Sequence, residues 1–244
     1  MPEQPSPPPS SRPCAWTAAL LLLALAAALS AGPGAARESA PPPEEVVQRM
    51  LAAQSGLLDF TAEVTLRARV AGLPLFPISG RLYSKRPSQV KIQVGGASFL
   101  PRHPFLFPDP LEFTTGKYTL ALAGREELEG DAAWIVDVTP VDPGDTLRMR
   151  FWISSRSWLI VQSDMSVPGA GRTVMRARYV RGAERAWVPS ELSGRGGLLL
   201  LDLLPAAGLG KLLTGLNLSE KITFRAVLSG HQVNTGLSDS FFAR

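Results

Sequence analysis

The chain has 244 residues, of which 45% are hydrophobic, a net charge of +4 and one cysteine, Cys14. This supports a sizeable core in one large β-rich domain or two small ones, and it excludes an intrachain disulfide or a thiolate metal site. The arginines alternate with apolar residues instead of clustering among aromatics, which argues for a solvated sheet face and against nucleic-acid binding.

Residues 1–12 are polar and Pro-rich, with Arg12 as the only basic side chain. Ala15 to Leu29 is then nearly unbroken Ala and Leu. A run of about 15 residues is short for a bilayer span of about 20 and suits the apolar core of a signal peptide. Ser30, Ala31, Gly32, Gly34, Ala35 and Ala36 supply the small residues of a cleavage site. The expected organisation is a signal peptide over 1–36, a linker over 37–43 and one domain over 44–244. The alternative is an uncleaved anchor that leaves the protein membrane-associated. Both readings export the remainder, with the periplasm as the expected compartment.

Pro43, Glu44 and Glu45 start a helix well, because proline fits the first turn and acids favour the positive end of the helix dipole. Val46, Val47, Met50 and Leu51 continue at helical spacing to about Gly56. The period then changes to two. Phe60, Ala62, Val64, Leu66, Ala68 and Val70 alternate with polar residues, which predicts a long strand with one apolar face. Further strands are expected at Ile78 to Tyr83, Val90 to Val94, Tyr118 to Leu122, Trp134 to Val138 and Leu147 to Ile153. More follow at Leu159 to Met165, Val174 to Val180, Trp187 to Leu192 and Ile222 to Leu228. Short turns between them imply an antiparallel meander of about ten strands, and a sheet that wide must curl or close. Glu126, Glu127 and Glu129 before Gly130 read as a solvated turn.

Two stretches break the pattern. Phe99 to Phe113 carries Pro101, Pro104, Pro108 and Pro110 among apolar residues, so it is not a central strand. Gly196 to Leu218 is Leu-rich and interrupted by Pro205. Leu209, Leu212, Leu213 and Leu216 have helical spacing there. The segment reads either as a packed loop and short helix over a sheet end, or as an apolar lid or membrane-touching element.

Enzyme signatures are missing. His103 and His231 are the only histidines, and no HExxH, CxxC or EF-hand pattern occurs. There is no G-x-S-x-G elbow, and Gly208-Leu209-Gly210-Lys211 lacks the rest of a phosphate-binding loop. A non-enzymatic protein without cofactor or metal is expected. The chemistry this composition offers is burial, at about 25 cal/mol per Å² of apolar surface. A curved sheet with one apolar face can enclose a cavity. The inward-facing candidates for lining it are Val64, Leu66, Leu82, Val90, Ile92, Leu120, Phe151 and Phe224, although the same alternation builds any packed sheet.

Several strings are familiar together. Gly80 to Lys91 reads as strand, basic-Pro turn, strand. Gly130 to Pro140 is a glycine followed by a strand ending in Thr-Pro. Phe151-Trp152-Ile153-Ser154 with Leu159-Ile160-Val161 forms a hairpin motif, followed by Trp187-Val188-Pro189-Ser190 and the tail Asn234 to Leu237, Asp239 and Phe241. In this order they resemble the LolA/LolB-like superfamily, in its outer-membrane lipoprotein-sorting branch. The resemblance implies an incomplete antiparallel barrel whose helices and loops close an apolar cavity for lipid or lipoprotein acyl chains. It also implies an alternative, since relatives act as envelope regulators that bind a membrane protein. A monomeric carrier is the leading expectation. No anchoring cysteine of the LolB type follows the apolar run.

Overall fold

The computed structural model describes residues 40–95, 97–99, 109–168, 171–196 and 222–243. Helix α1 spans Pro43–Ala53, with proline in its first turn and Glu44 and Glu45 beside it. It buries Val46, Val47 and Met50 and stops short of the expected Gly56. Beyond Ala53 the chain turns, and the Gln54 N–H closes onto the Met50 and Leu51 carbonyls.

The strands are β1 (Asp59–Val70), β2 (Leu73–Pro74), β3 (Ile78–Lys85), β4 (Gln89–Val94), β5 (Ala97–Phe99) and β6 (Tyr118–Leu128). They continue with β7 (Asp131–Pro140), β8 (Arg148–Ser154), β9 (Ile160–Val167), β10 (Gly171–Arg181), β11 (Trp187–Gly196) and β12 (Ile222–Val233). They form one antiparallel sheet in the order β5-β4-β3-β1-β12-β11-β10-β9-β8-β7-β6, with β2 paired to β1. The sheet does not close on itself: β5 and β6 are its edges. Strand twist accumulates across so many neighbours and curls the sheet.

Strand β6 corrects one expectation. It runs on through Glu126 and Glu127 to Leu128, and the turn is only Glu129-Gly130, both with positive φ. Two left-handed residues suit a tight hairpin between twisted strands. Glu126 is used inside the sheet, where it accepts from Trp152 Nε1 at 2.8 Å.

Alternation decides what each face buries. On β1 the apolar set meets its partners in register: Leu66 lies opposite Ala226 and Ile78, and Ala62 opposite Leu82. The polar set carries ion pairs such as Arg150–Asp137 at 2.6 Å and Arg225–Glu191 at 2.7 Å. These exposed pairs contribute little to stability, but they keep that face wet.

The apolar face is filled as two clusters. One joins residues of β1, β3, β4, β10, β11 and β12, including Phe60, Leu82, Met175, Leu192 and Phe224. The other joins α1 to β7, β8 and β9 through Val46, Met50, Val136, Phe151 and Ile160. Phe113, from the short 3-10 turn Pro110–Thr114, packs its ring 5.5 Å from that of Phe151. Helix α1 therefore fills the half of the curl formed by the second cluster. The helix, every strand and both clusters lie within the unit Pro41–Arg244. A unit with its own core can fold alone.

The close approach of β10 and β11 depends on glycine. A Cβ at Gly194 would sit 2.2 Å from the Val174 carbonyl oxygen and 3.0 Å from Met175 Cα. Backbone cannot yield as a side-chain tip would, so Gly194→Ala is expected to destabilise by about 1–3 kcal/mol. Urea unfolding of the paired variants checks this; an unchanged midpoint would contradict the packing described.

Candidate functional site

The two clusters leave a cavity between them at one end of the sheet. Leu57, Phe60, Val90, Ile160, Met175 and Ala177 supply its apolar wall. Ser163, Gln162 and Tyr179 add polar atoms. The hydroxyl of Ser163, a residue only 1% exposed, has no hydrogen-bond partner. Such an orphan costs about 1–3 kcal/mol unless a water or ligand satisfies it. Tyr179 donates to the Ile160 carbonyl at 3.0 Å. Desolvation by its surroundings raises its phenol well above the ordinary range, so it stays a neutral donor.

A polar latch borders the cavity. The Arg86 guanidinium, on the β3–β4 turn, donates to both Asp109 oxygens at 2.5 and 2.7 Å and to the Gln54 carbonyl at 2.9 Å. Arg86 N–H also donates to the Leu58 carbonyl at 2.9 Å. Asp109 is 5% exposed, and its Oδ1 caps the next turn by accepting from Leu111 N–H at 2.9 Å. One side chain thus ties the end of α1, the β3–β4 turn and the segment entering the 3-10 turn. The arginine fork suits this task because it can hold a carboxylate by two parallel bonds while a third donor reaches a carbonyl.

The volume of this cavity is about 60 Å³. That admits a few waters and falls well below the roughly 300 Å³ of a small ligand pocket. An acyl chain would need the latch end to open. A larger, open depression of about 460 Å³ touches Glu129, Asp131, Arg176 and Arg178. Its charges satisfy one another, with Arg176 donating to Glu129 at 2.7 Å, and it reads as solvated surface.

Of the residues expected to line a cavity, Val90 borders this one. Leu66, Leu82, Ile92 and Phe224 are buried in the first cluster, and Val64 packs against it half-buried. Phe151 is buried in the second cluster, with Leu120 packed against it. The expected set is therefore divided between two packed halves. The lid candidates Leu209, Leu212, Leu213 and Leu216 lie outside the described residues. Sequence reasoning missed Arg86 and Asp109 as partners. Arg86-Pro87 was visible as a turn, but nothing local points from it to Asp109.

His231 is accounted for by structure, with Nε2 2.8 Å from the Pro189 carbonyl oxygen. Among the described residues, no three metal-ligating side chains gather, and no helix is long and apolar enough to cross a membrane.

No protein-family model and no curated protein matches the sequence. Solved structures do match in fold. A DUF1329 family protein from Desulfovibrio piger superposes with a TM-score of 0.54 at 13% identity, covering 84% of this chain and 98% of that one. An outer membrane lipoprotein-sorting protein domain from Vibrio parahaemolyticus gives 0.55 at 12% identity, over 81% and 94%. A LolA superfamily protein from Nitrosomonas europaea gives 0.52 at 10% identity, over 84% and 99%. The chain therefore has the open, curled β-sheet fold shared by DUF1329 and LolA-superfamily proteins.

Proposed function

We propose that this protein is a non-enzymatic carrier, exported to the periplasm, that shields an acyl chain of a lipid or lipoprotein. The observation that carries the proposal is a cavity between two apolar clusters, bordered at its mouth by an arginine–carboxylate latch. The clusters share the β9–β10 pairing, so widening is confined to the latch end, where the Arg86–Asp109 contact can release without breaking the sheet. The apolar wall then gains about 0.8 kcal/mol for each methylene it takes from water. The likeness in fold to a lipoprotein-sorting domain supports the reading. In this reading Val90 contacts the chain first, and Leu66, Leu82, Ile92 and Phe224 extend the wall as the latch end widens. Val64, Leu120 and Phe151 back it.

The test is to purify residues 41–244 from a bacterial periplasm without detergent, denature the protein and identify what is released by mass spectrometry. A stoichiometric fatty acid or phospholipid is the expected result. A protein that releases no lipid and takes up no fluorescent fatty acid would refute carriage. The open edge of β6, eleven residues long, favours a second reading, in which an envelope membrane protein adds a strand there. Co-purification of such a protein with a lipid-free chain would select it.

A further inference from the structure

The end of the sheet opposite the latch presents a different surface. Strand β1 starts at Asp59 near the latch and leaves at Val70, so the loop from β1 to β3 lies at the far end. That loop reads Ala-Gly-Leu-Pro-Leu-Phe-Pro over residues 71–77, without a charge. Its conformation is held from within. Strand β2 pairs with the end of β1, Leu75 N–H donates to the Ala68 carbonyl at 2.9 Å, and Arg69 Nε donates to the Gly72 carbonyl at 3.2 Å. Leu75 packs onto the first cluster. The same geometry turns Leu73 and Phe76 outward, leaving them 71% and 94% exposed. A fixed loop that half-buries one large apolar side chain and presents two others to water carries a cost that a partner surface would remove.

The surroundings say what that surface is. Arg67 and Arg69 project from β1, Arg225 from β12 and Arg195 from β11, all near the same strand ends. Arg67 lies directly opposite Arg225 in register, and like charges placed so repel. Glu191 pairs with Arg225. The acids of the β7–β8 loop, Asp142 and Asp145, belong to the other half of the sheet. Among the described residues, the loop is thus an apolar tip backed by a basic collar about 10 Å deep or less at 3.3 Å per residue. That is within a Debye length at physiological salt. Apolar side chains enter the boundary between headgroups and acyl chains, and arginines behind them meet anionic headgroups.

We propose that this end of the molecule docks reversibly on an anionic membrane surface, with Leu73 and Phe76 inserted and Arg67 and Arg69 against the headgroups. The latch then faces the aqueous phase, where a donor or acceptor protein could reach it. Docking of this kind does not require a filled cavity, so it stands or falls separately from lipid carriage.

The experiment is co-sedimentation of residues 41–244 with vesicles of phosphatidylcholine and phosphatidylglycerol in a two-to-one ratio, beside vesicles of phosphatidylcholine alone. The wild type is expected to bind the anionic vesicles preferentially and to lose binding as salt rises. Leu73→Ser with Phe76→Ser should weaken binding by about tenfold or more while leaving the thermal midpoint in place, since both side chains are exposed. Arg67→Gln with Arg195→Gln, which leaves the Arg69 bond to the loop in place, should greatly reduce the preference for anionic vesicles. Equal sedimentation of the loop variant and the wild type would overturn the proposal. So would failure of the wild type to bind, equal binding to both kinds of vesicle, or a loop variant altered only in self-association.

Discussion

Asp59→Ala is expected to lower the thermal midpoint of residues 41–244 by about 10 °C. Asp59 is only 4% exposed. Its carboxylate accepts from Thr235 N–H and Oγ1–H at 2.8 and 3.0 Å, Gly236 N–H at 3.0 Å and Leu237 N–H at 3.3 Å. Hydrogen bonds to a charged group contribute about 1.5–3 kcal/mol each, and their loss leaves backbone donors without partners. A total of about 3–5 kcal/mol follows, because the donors share one acceptor group and do not add fully. Asp59→Asn keeps one acceptor oxygen and should lose roughly half as much. Differential scanning calorimetry reads both variants. Equal midpoints for wild type and Asp59→Ala would show that the tail is not docked in solution.

The position of this clamp gives it a second consequence. Asn234, next to it, accepts from Leu58 N–H at 2.8 Å and donates to the Gly56 carbonyl at 2.9 Å. The tail therefore pins the turn between α1 and β1. That turn also carries the Gln54 and Leu58 carbonyls to which Arg86 donates. The remainder of the tail closes the same end of the sheet. The Phe241 ring packs tilted against that of Tyr83, centroids 4.7 Å apart, and lies 4.5 Å beneath the Lys91 ammonium. A residue near the last strand thus helps to fix the mouth of a cavity formed near the first.

Much of the fold was legible because period-two alternation is a local signal. Phe60 to Val70 reads as a half-buried strand from its own residues, and the structure pairs it antiparallel with β12 and β3. The limits of that signal appear at Glu126 and Glu127, whose charge suggested a turn although both lie within β6. Propensity yields there to pairing with Ala133 and Ala132 of β7 and to the reach of the Trp152 indole from β8. The candidate site was less legible. Alternation tells which face of a strand is apolar, yet it does not say whether that face lines a void or meets another side chain. Phe151 and Leu66 share the same pattern, but α1 covers the cluster of one and not that of the other. Asp59 and Arg86 were missed for a related reason. Their partners, residues 235–237 and Asp109, are fixed by tertiary contact, and each is an ordinary turn or strand residue in sequence.

Arg86→Ala is expected to raise the rates of uptake and release of a fluorescent fatty acid by about a hundredfold. The argument rests on the proposed carriage and on the place of the latch. Removing one partner of a buried ion pair costs about 3–5 kcal/mol, because the other charge stays buried without compensation. Asp109 would be that charge, at 5% exposure. If the cost falls on the closed state alone, about 3 kcal/mol shifts the balance towards the open state by roughly two powers of ten. The second variant separates opening from damage. Arg86→Ala with Asp109→Ala removes both charges, so its closed state suffers less and its rates should lie between those of the single variant and the wild type. Arg86→Lys should also fall between them, since an ammonium cannot hold the carboxylate by two parallel bonds and reach Gln54 as well. Stopped-flow fluorescence measures the rates, and the thermal midpoint of each variant is taken alongside. A lowered midpoint with unchanged exchange rates in every variant would reduce the Arg86–Asp109 pair to a structural contact. The route into the cavity would then have to be sought between other elements.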